Sequence, residues 1–325
     1  MKNKELLSLS IIIPAYNEEL SIGATIIEYK RVFPHARFVV VDNNSTDATY
    51  DEARKLLDLS SDILISEKKQ GKGYAVKSAL SSIEADIYVL TDADQTYLAV
   101  DAKKLLYTML ETRADMISGD RISSGTYADV NKRRGHSLGN KFLTWTISKL
   151  AGQSFVDVLS GLRVMSRPFV DKLDISSDGF QLETELNVIA AYLKVDIREV
   201  PISYRARVEN SSSKLKTIKD GIRIFKFSIE SWLTFAPMQF FSIISFLMFC
   251  FSFGLSFRVI SGFLETGLSY ATTATAAAAS GFIAVLSIFI GFSLKIIVRN
   301  LRRNQIAQFV CDKRKWNSSL DEKQL

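Results

Sequence analysis

Cysteine is almost missing from this chain: Cys250 and Cys311 are the only two in 325 residues. No disulfide framework and no zinc site can be built from them. Charge is missing from two long stretches, Met238–Phe257 and Tyr270–Leu294, which hold no Asp, Glu, Lys or Arg over 20 and 25 residues. A bilayer core of ~30 Å takes ~20 helical residues, so each is long enough to span it. Their length and lack of charge argue against a pair of core helices in a soluble protein. No internal repeat occurs, and an Ala/Thr run at the head of the second stretch is the one biased segment. The N-terminus, Met1 to Lys4 followed by Leu6–Ile13, lacks a small-residue cleavage site before Pro14 and is interrupted by Glu5, so it reads as a first strand rather than a leader.

Basic residues flank the apolar pair. Lys214, Lys216, Lys219, Arg223 and Lys226 precede it, Arg299, Arg302, Arg303, Lys313, Arg314 and Lys315 follow it, and the short connection holds only Arg258 and Glu265. This bias predicts a multi-pass protein of the cell (inner) membrane with both termini cytosolic. The net charge of +6 lies largely in these flanks, which points to anionic lipid and not to nucleic acid. Ala277 and Gly281, four apart, permit close helix packing and self-association into a homo-oligomer.

The front half alternates two kinds of segment. Leu9–Ile13, Phe38–Val41, Ile63–Ser66 and Ile87–Leu90 are short apolar runs suited to strands covered on both faces, and Glu18–Phe33, Asp47–Leu57 and Tyr74–Glu84 have helical periodicity between them. The order predicts an α/β fold with a mostly parallel, doubly wound, Rossmann-like sheet, whose ligands bind beyond the carboxyl ends of the strands. A Gly-, Ser- and basic-rich loop runs from about Ser123 to Gly139. Helices are expected at Lys141–Leu150 and Gln181–Lys194, and strands at Leu162–Met165 and Asp196–Tyr204, with Pro201 marking a sheet edge. Lys214–Leu233 places Leu215, Ile218, Ile222, Phe225, Ile229 and Trp232 three and four apart among basic residues, the pattern of an interfacial amphipathic helix. The expected division is therefore residues 1–213 as a cytosolic catalytic domain, 214–236 as the interfacial helix, and 237–325 as a two-helix transmembrane hairpin with a basic cytosolic tail.

Each expected strand end carries polar residues. Pro14-Ala15-Tyr16-Asn17-Glu18-Glu19 runs into a helix that Asn17 is placed to cap. Asp42-Asn43-Asn44-Ser45-Thr46-Asp47 ends a strand in an acid able to accept hydrogen bonds from a ligand, a base or ribose edge among them. Gly71-Lys72-Gly73 is not a Walker loop, because Gly73 stands where Ser or Thr is required, yet a glycine-flanked lysine reaches a diphosphate or a base. Asp92-Ala93-Asp94-Gln95-Thr96 is the strongest local signal. Two carboxylates leaving a buried strand are costly unless partnered, and Mg²⁺ or Mn²⁺ held between them and phosphate oxygens resolves the cost.

In this order the motifs resemble the family-2 glycosyltransferases, inverting enzymes of the GT-A fold, over about Ser8 to Leu215. The resemblance implies that Pro14, Ala15, Tyr16, Glu18, Asp42, Asn44, Lys72, Asp92 and Ala93 bind a UDP- or GDP-linked sugar donor, and that Asp92, Asp94 and Gln95 hold the metal and diphosphate. The branch with Gln two residues after the second Asp has Thr96 here, with Gln95 one earlier. Ser118-Gly-Asp-Arg121, Arg133 with Ser137 and Asn140, Asp157-Val-Leu-Ser160-Gly161-Leu-Arg163, Gly179-Phe-Gln-Leu-Glu183-Thr-Glu185, Glu199-Val-Pro201-Ile, and Arg207 with Ser213-Lys214-Leu215 narrow the resemblance to the dolichol-phosphate-mannose-synthase and bacterial polyprenyl-phosphate branch. The Gln-x-x-Arg-Trp signature of processive synthases is absent.

What that branch implies is transfer of a sugar from a nucleotide donor to a polyprenyl (undecaprenyl or dolichyl) phosphate lipid. A phosphate acceptor is already ionised and needs positioning rather than a base. Arg121, Arg133, Arg134 and Arg207, with Ser137, are candidates for that work, arginine being suited to forked phosphate contacts; a solvated loop is the alternative for Arg133 and Arg134. Glu183 and Glu185 lie about 200° apart on a helix, so one of them faces the site, and its offset from Glu199 favours Glu185 for a sugar or metal-shell contact. Asp157 either binds the sugar or pairs with Arg163. The alternatives are a glycosyltransferase acting on a hydroxyl of a glycolipid, protein or polysaccharide, which needs a carboxylate base, and a membrane scaffold that binds donor without turnover.

Overall fold

The computed structural model describes residues 6–125, 144–145, 147–149, 152, 154–179, 181–208, 226, 229–230, 232–268 and 270–323. Two compact units divide the chain: Met1–Phe227 together with Ile306–Leu325, and Ser228–Gln305.

The first unit is built on a seven-stranded sheet with the order β3-β2-β1-β4-β6-β5-β7. Its strands are β1 (Leu9–Ala15), β2 (Arg37–Asp42), β3 (Ile63–Ser66), β4 (Ile87–Leu90), β5 (Met116–Asp120), β6 (Arg163–Ser166) and β7 (Ile197–Pro201). The first four are mutually parallel, with Ala15 beside Asp42 and Ile12 beside Leu90. That register brings the tips of β1 and β2 level, while β4 ends beside Ile12, three residues short of the end of β1. Helices α1 (Ile22–Val32), α2 (Thr49–Leu56), α3 (Lys72–Ser82) and α4 (Ala99–Thr112) make the crossovers, and cover on both faces explains why Ile11–Ile13, Val39–Val41 and Ile87–Leu90 are buried without alternation. β6 runs antiparallel between β4 and β5, and β7 pairs parallel with β5 at the end of the sheet, where Pro201 is tolerated.

Residues Ile306–Leu325 belong to this unit although they follow the apolar stretches. Phe309, Trp316 and Leu320 are buried, the last two within the main core cluster. Trp316 Nε1 donates to the Asp86 carbonyl at 3.0 Å, Lys323 pairs with the Asp86 carboxylate at 2.8 Å, and Lys313 pairs with Asp115 at 2.6 Å. Asp86 and Asp115 immediately precede β4 and β5, so the tail grips the end of the sheet opposite the motif-bearing tips.

The second unit holds helix Pro237–Thr266 and the first part of helix Ala271–Glu322, both long and apolar enough to cross a membrane, which suggests membrane association. Phe246, Phe249, Phe253 and Phe257 stand exposed along the first helix. The stripe Ala277, Ser280, Ala284 and Ser287 of the second is buried. Ser252 Oγ donates to the Ala277 carbonyl at 2.7 Å, and a Cβ on Gly281 would sit 3.0 Å from that hydroxyl. The small-residue face expected to permit self-association meets Ser252 of the first helix at Ala277 and Gly281. Of the interfacial segment 214–236, only residues 226, 229–230 and 232–236 are described.

Candidate active site

Three neighbouring strand tips build the site, each turning through a non-glycine residue of positive φ: Asn17 (52°) after β1, Asn44 (60°) after β2 and Gln95 (61°) after β4. Asn adopts this conformation readily; Gln does so at a cost, a local departure of the kind found at functional turns. At β1 the expected capping does not occur. Ser21, not Asn17, precedes α1, and Asn17 Oδ1 instead accepts from the Thr46 N–H at 2.8 Å. The Glu18 N–H donates to Thr49 Oγ1 at 2.7 Å, which ties the first tip to the second.

Between the tips lies a crevice of about 180 Å³. It gathers Pro14, Ala15, Tyr16, Glu18, Lys72, Asp92, Ala93, Asp94 and Arg207, all marked from the sequence, together with Asn43, Gln70 and Gly71. Asp42 closes the end of β2, buried, with Oδ1 lacking a hydrogen-bond partner. Asn43 lines the crevice, and the marked Asp42 and Asn44 do not. The Asn43 Nδ2 donates to the Lys69 carbonyl at 2.7 Å, and its Oδ1 accepts from the Gly71 N–H at 2.6 Å.

The acids of the crevice are paired with its cations. Lys72 Nζ donates to Asp92 Oδ1 and to Glu183 Oε1, both at 2.6 Å. Burial works against the Lys72 charge, but the two carboxylates prevail and hold it above the usual lysine range. Burial likewise disfavours the Asp92 anion, and Lys72 overcomes it, leaving Asp92 below the usual carboxylate range. Asp94 Oδ1 accepts from the Thr96 N–H and hydroxyl at 3.1 and 2.6 Å, while Oδ2 receives Arg207 Nη2 at 2.5 Å. Arg207 Nη1 also lies 3.5 Å from Glu18 Oε1. Burial, and then the neighbouring Asp92, push Asp94 up against the lowering pull of Arg207.

This donor set fits a hard divalent cation. Two carboxylates leave one strand, where burial and then the neighbouring Asp92 raise Asp94, and diphosphate oxygens would complete such a sphere. Gln95 does not join them: its Nε2 donates to the Ser21 carbonyl at 3.3 Å. Among the described residues no group of three or more His, Cys, Asp or Glu comes together as a metal site.

Beside the crevice, Arg121 and Asp157 form a buried pair that Glu199 secures by accepting from the Val156 and Asp157 N–H groups at 2.8 Å each. Arg121 also stacks on Tyr204, 5.6 Å from the ring centroid. Asp157 thus pairs with Arg121 and not with Arg163. Arg163, fully buried, donates instead to the carbonyls of Ser160, Val158 and Glu183 and to Asn187 Oδ1. The choice between Glu183 and Glu185 is reversed by the structure: Glu183 meets Lys72, and Glu185 accepts from Ser176 and Ser177. Arg133, Arg134 and Ser137 lie outside the described residues. Asn43, Gly71 and Glu183 are the positions that sequence reasoning passed over or set second; Asn43 and Gly71 adjoin marked residues, and adjacency was the available signal.

Similar proteins share this arrangement of elements. Glucosyl-3-phosphoglycerate synthase from Mycobacterium tuberculosis in complex with UDP superposes with a TM-score of 0.56 at 19% identity, over 69% of this chain and 80% of that one. The same enzyme with Mn²⁺, UDP and glucosyl-3-phosphoglycerate gives 0.52 at 20% identity, over 70% and 79%. At such identities the likeness concerns the fold, which is GT-A. Glycosyltransferase AglJ of Haloferax volcanii is 29% identical over 303 residues, 92% of this chain and 96% of that protein. A dolichyl-phosphate hexose transferase of the same organism is 30% identical over 67% of this chain and 91% of its own length. The model of glycosyl transferase family 2 matches residues 10–173, half of the chain, and with the 30% relative it shows that the protein belongs to that family of glycosyltransferases.

Proposed function

We propose that the protein transfers a sugar, with inversion, from a nucleoside-diphosphate sugar to a polyprenyl phosphate at the cytosolic face of a membrane. One observation carries the choice of acceptor. Asp42 apart, each carboxylate in or beside the crevice is already engaged: Glu18 with Ser21 Oγ and Arg207, Asp92 and Glu183 with Lys72, Asp94 with Arg207 and Thr96, Asp157 with Arg121. A sugar hydroxyl needs a carboxylate to take its proton. A phosphate monoester, with a second pKa of about 6, arrives ionised and needs none.

The chain's own residues supply the rest. The unpartnered oxygen of Asp42, next to the lining residue Asn43, suits a hydrogen bond from the donor's base or ribose, and Tyr16 with Pro14 and Ala15 lines the crevice itself. Asp92 and Asp94 would hold Mg²⁺ or Mn²⁺, which when bound stabilises the departing diphosphate as a Lewis acid. Lys72 offsets the negative charge of Asp92 and Glu183 beside the leaving group. Arg207, 29% exposed and shared between Asp94 and Glu18, is the described guanidinium placed to meet an incoming phosphate. Attack of the phosphate oxygen on the anomeric carbon then forms the new C–O bond as the bond to the nucleoside diphosphate breaks, and catalysis is chiefly positioning and charge stabilisation.

Membrane placement is supported by the two apolar helices and by a dolichyl-phosphate hexose transferase among the relatives. Residues before and after the apolar pair fall in one folded unit, which supports their sharing a side, and the positive flanks favour the cytosol. The test is incubation of the purified full chain with UDP- and GDP-sugars, polyprenyl phosphate and Mn²⁺, with mass spectrometry of the lipid. A glycosylated lipid phosphate of inverted configuration is expected. Transfer to glycolipid, protein or polysaccharide hydroxyls, with none to the lipid phosphate, would overturn the acceptor assignment.

A further inference from the structure

Glu185 is 3% exposed on the first turn of helix Leu182–Leu193, two residues from Glu183. Its Oε1 accepts from the Ser176 N–H at 2.8 Å and hydroxyl at 2.5 Å, and its Oε2 accepts from the Ser177 N–H at 2.9 Å. Three donors from two consecutive residues fix the loop 175–179 onto that helix. Lys77 of α3 adds a bond from Nζ to the Ile175 carbonyl at 3.3 Å. The opposite side of the loop presses on the glycine-flanked lysine. A Cβ on Gly73 would lie 1.9 Å from the Ser177 carbonyl oxygen, and one on Gly71 1.8 Å from that of Asp178. Gly71 also adopts φ +148°, a conformation L side chains rarely take.

Lys72 is therefore held at both ends by one helical turn. Glu183 takes its ammonium directly. Its backbone is wedged between the loop that Glu185 secures and Asn43, which accepts from the Gly71 N–H. We propose that Glu185 is a positioning residue for the donor crevice, acting through the loop 175–179 to keep Lys72 aimed at Asp92 and Glu183. The neighbouring glutamates thus divide one task, Glu183 at the tip of Lys72 and Glu185 at its root. Replacing Glu185 by Gln sets an amide N–H₂ against one of the three donors, so the loop lifts and Lys72 loses its aim.

The proposal rests on the assignment of Lys72 to the donor crevice and is independent of the acceptor. It is tested by calorimetric titration of the full chain in detergent with Mn²⁺–UDP and Mn²⁺–GDP. Glu185→Gln is expected to weaken the tighter nucleotide about tenfold, as loss of an outer-shell partner does. Ser176→Ala, which deletes one of the donors, should weaken it in the same direction by a smaller factor and serves if Glu185→Gln fails to fold. In a Lys72→Met chain, either change should add less than about twofold, since coupled residues are non-additive. A lower fraction of binding-competent protein at unchanged affinity, or the same loss with and without Lys72, would overturn the proposal and leave Glu185 a merely structural residue. If Lys72→Met alone leaves nucleotide affinity unchanged, the donor-crevice assignment of Lys72 falls, and this inference with it.

Discussion

Arg121 and Asp157 form a two-pronged ion pair, Nε to Oδ2 at 2.7 Å and Nη2 to Oδ1 at 2.9 Å, with side chains 9% and 0% exposed. Burial disfavours the Asp157 anion, and Arg121 more than compensates, so its pKa lies below the usual carboxylate range. A depressed folded-state pKa means stability that is present above the unfolded value of ~3.9 and lost as pH falls through the folded one. Asp157→Asn is expected to destabilise the protein by about 3–5 kcal/mol at neutral pH, by stranding a buried guanidinium. The gap in unfolding free energy between variant and wild type should stay level from pH 8 to about 5 and narrow only below ~4. Chemical denaturation across that range is the measurement.

Asp94 presents the opposite sign. Its folded-state pKa is raised, so ionisation favours the unfolded chain and the charge opposes folding at neutral pH. Asp94→Asn should therefore leave the melting temperature unchanged or raised while lowering transfer by on the order of 10²–10³, the usual cost of removing one preorganised electrostatic contact. Coupled loss of turnover and of melting temperature would contradict this.

Arg163 meets no carboxylate in its bonding; its guanidinium is satisfied by three carbonyls, Asn187 Oδ1 and a contact to Met116 Sδ. Together these tie the segment Val158–Ser160 to the helix bearing Glu183. Arg163→Met strands several buried acceptors, each costing about 1–3 kcal/mol. We expect loss of cooperative unfolding or a melting temperature at least about 10 °C lower, read by differential scanning fluorimetry. Arg163→Lys should rescue only a fraction, because one ammonium cannot serve four divergent acceptors.

Much of this was readable beforehand, and the exceptions have definite causes. Unbroken apolar runs located β1 to β4, and polar clusters at their ends located the crevice. β6 entering antiparallel between β4 and β5 was not readable, because strand order is decided by pairing between distant residues. Asn17 has the chemistry of a helix cap, but the bond from the Glu18 N–H to Thr49 delays α1 by a turn. Helical geometry separates Glu183 from Glu185 without saying which one meets Lys72. In the tail, clustered basic residues suggested a lipid-facing segment, while Phe309, Trp316 and Leu320, seven and four apart, carried the signal of a packed face.

Trp316 provides a direct check on that packed face. Trp316→Ala removes a buried indole and its bond to the Asp86 carbonyl, at about 3–5 kcal/mol. Limited proteolysis should then release fragments from the first unit, and a chain ending at Gln305 should be cut faster still. Equal resistance in wild type and both variants would show that the tail contributes nothing to the unit.

The docking of that tail imposes a schedule on biosynthesis. The segment bearing Phe309, Trp316 and Leu320 is synthesised after the sheet it packs on and after both apolar helices. The transferase unit therefore stays unfinished until both apolar helices have been made. Completion of the enzyme's fold is thereby coupled to the fate of those apolar helices.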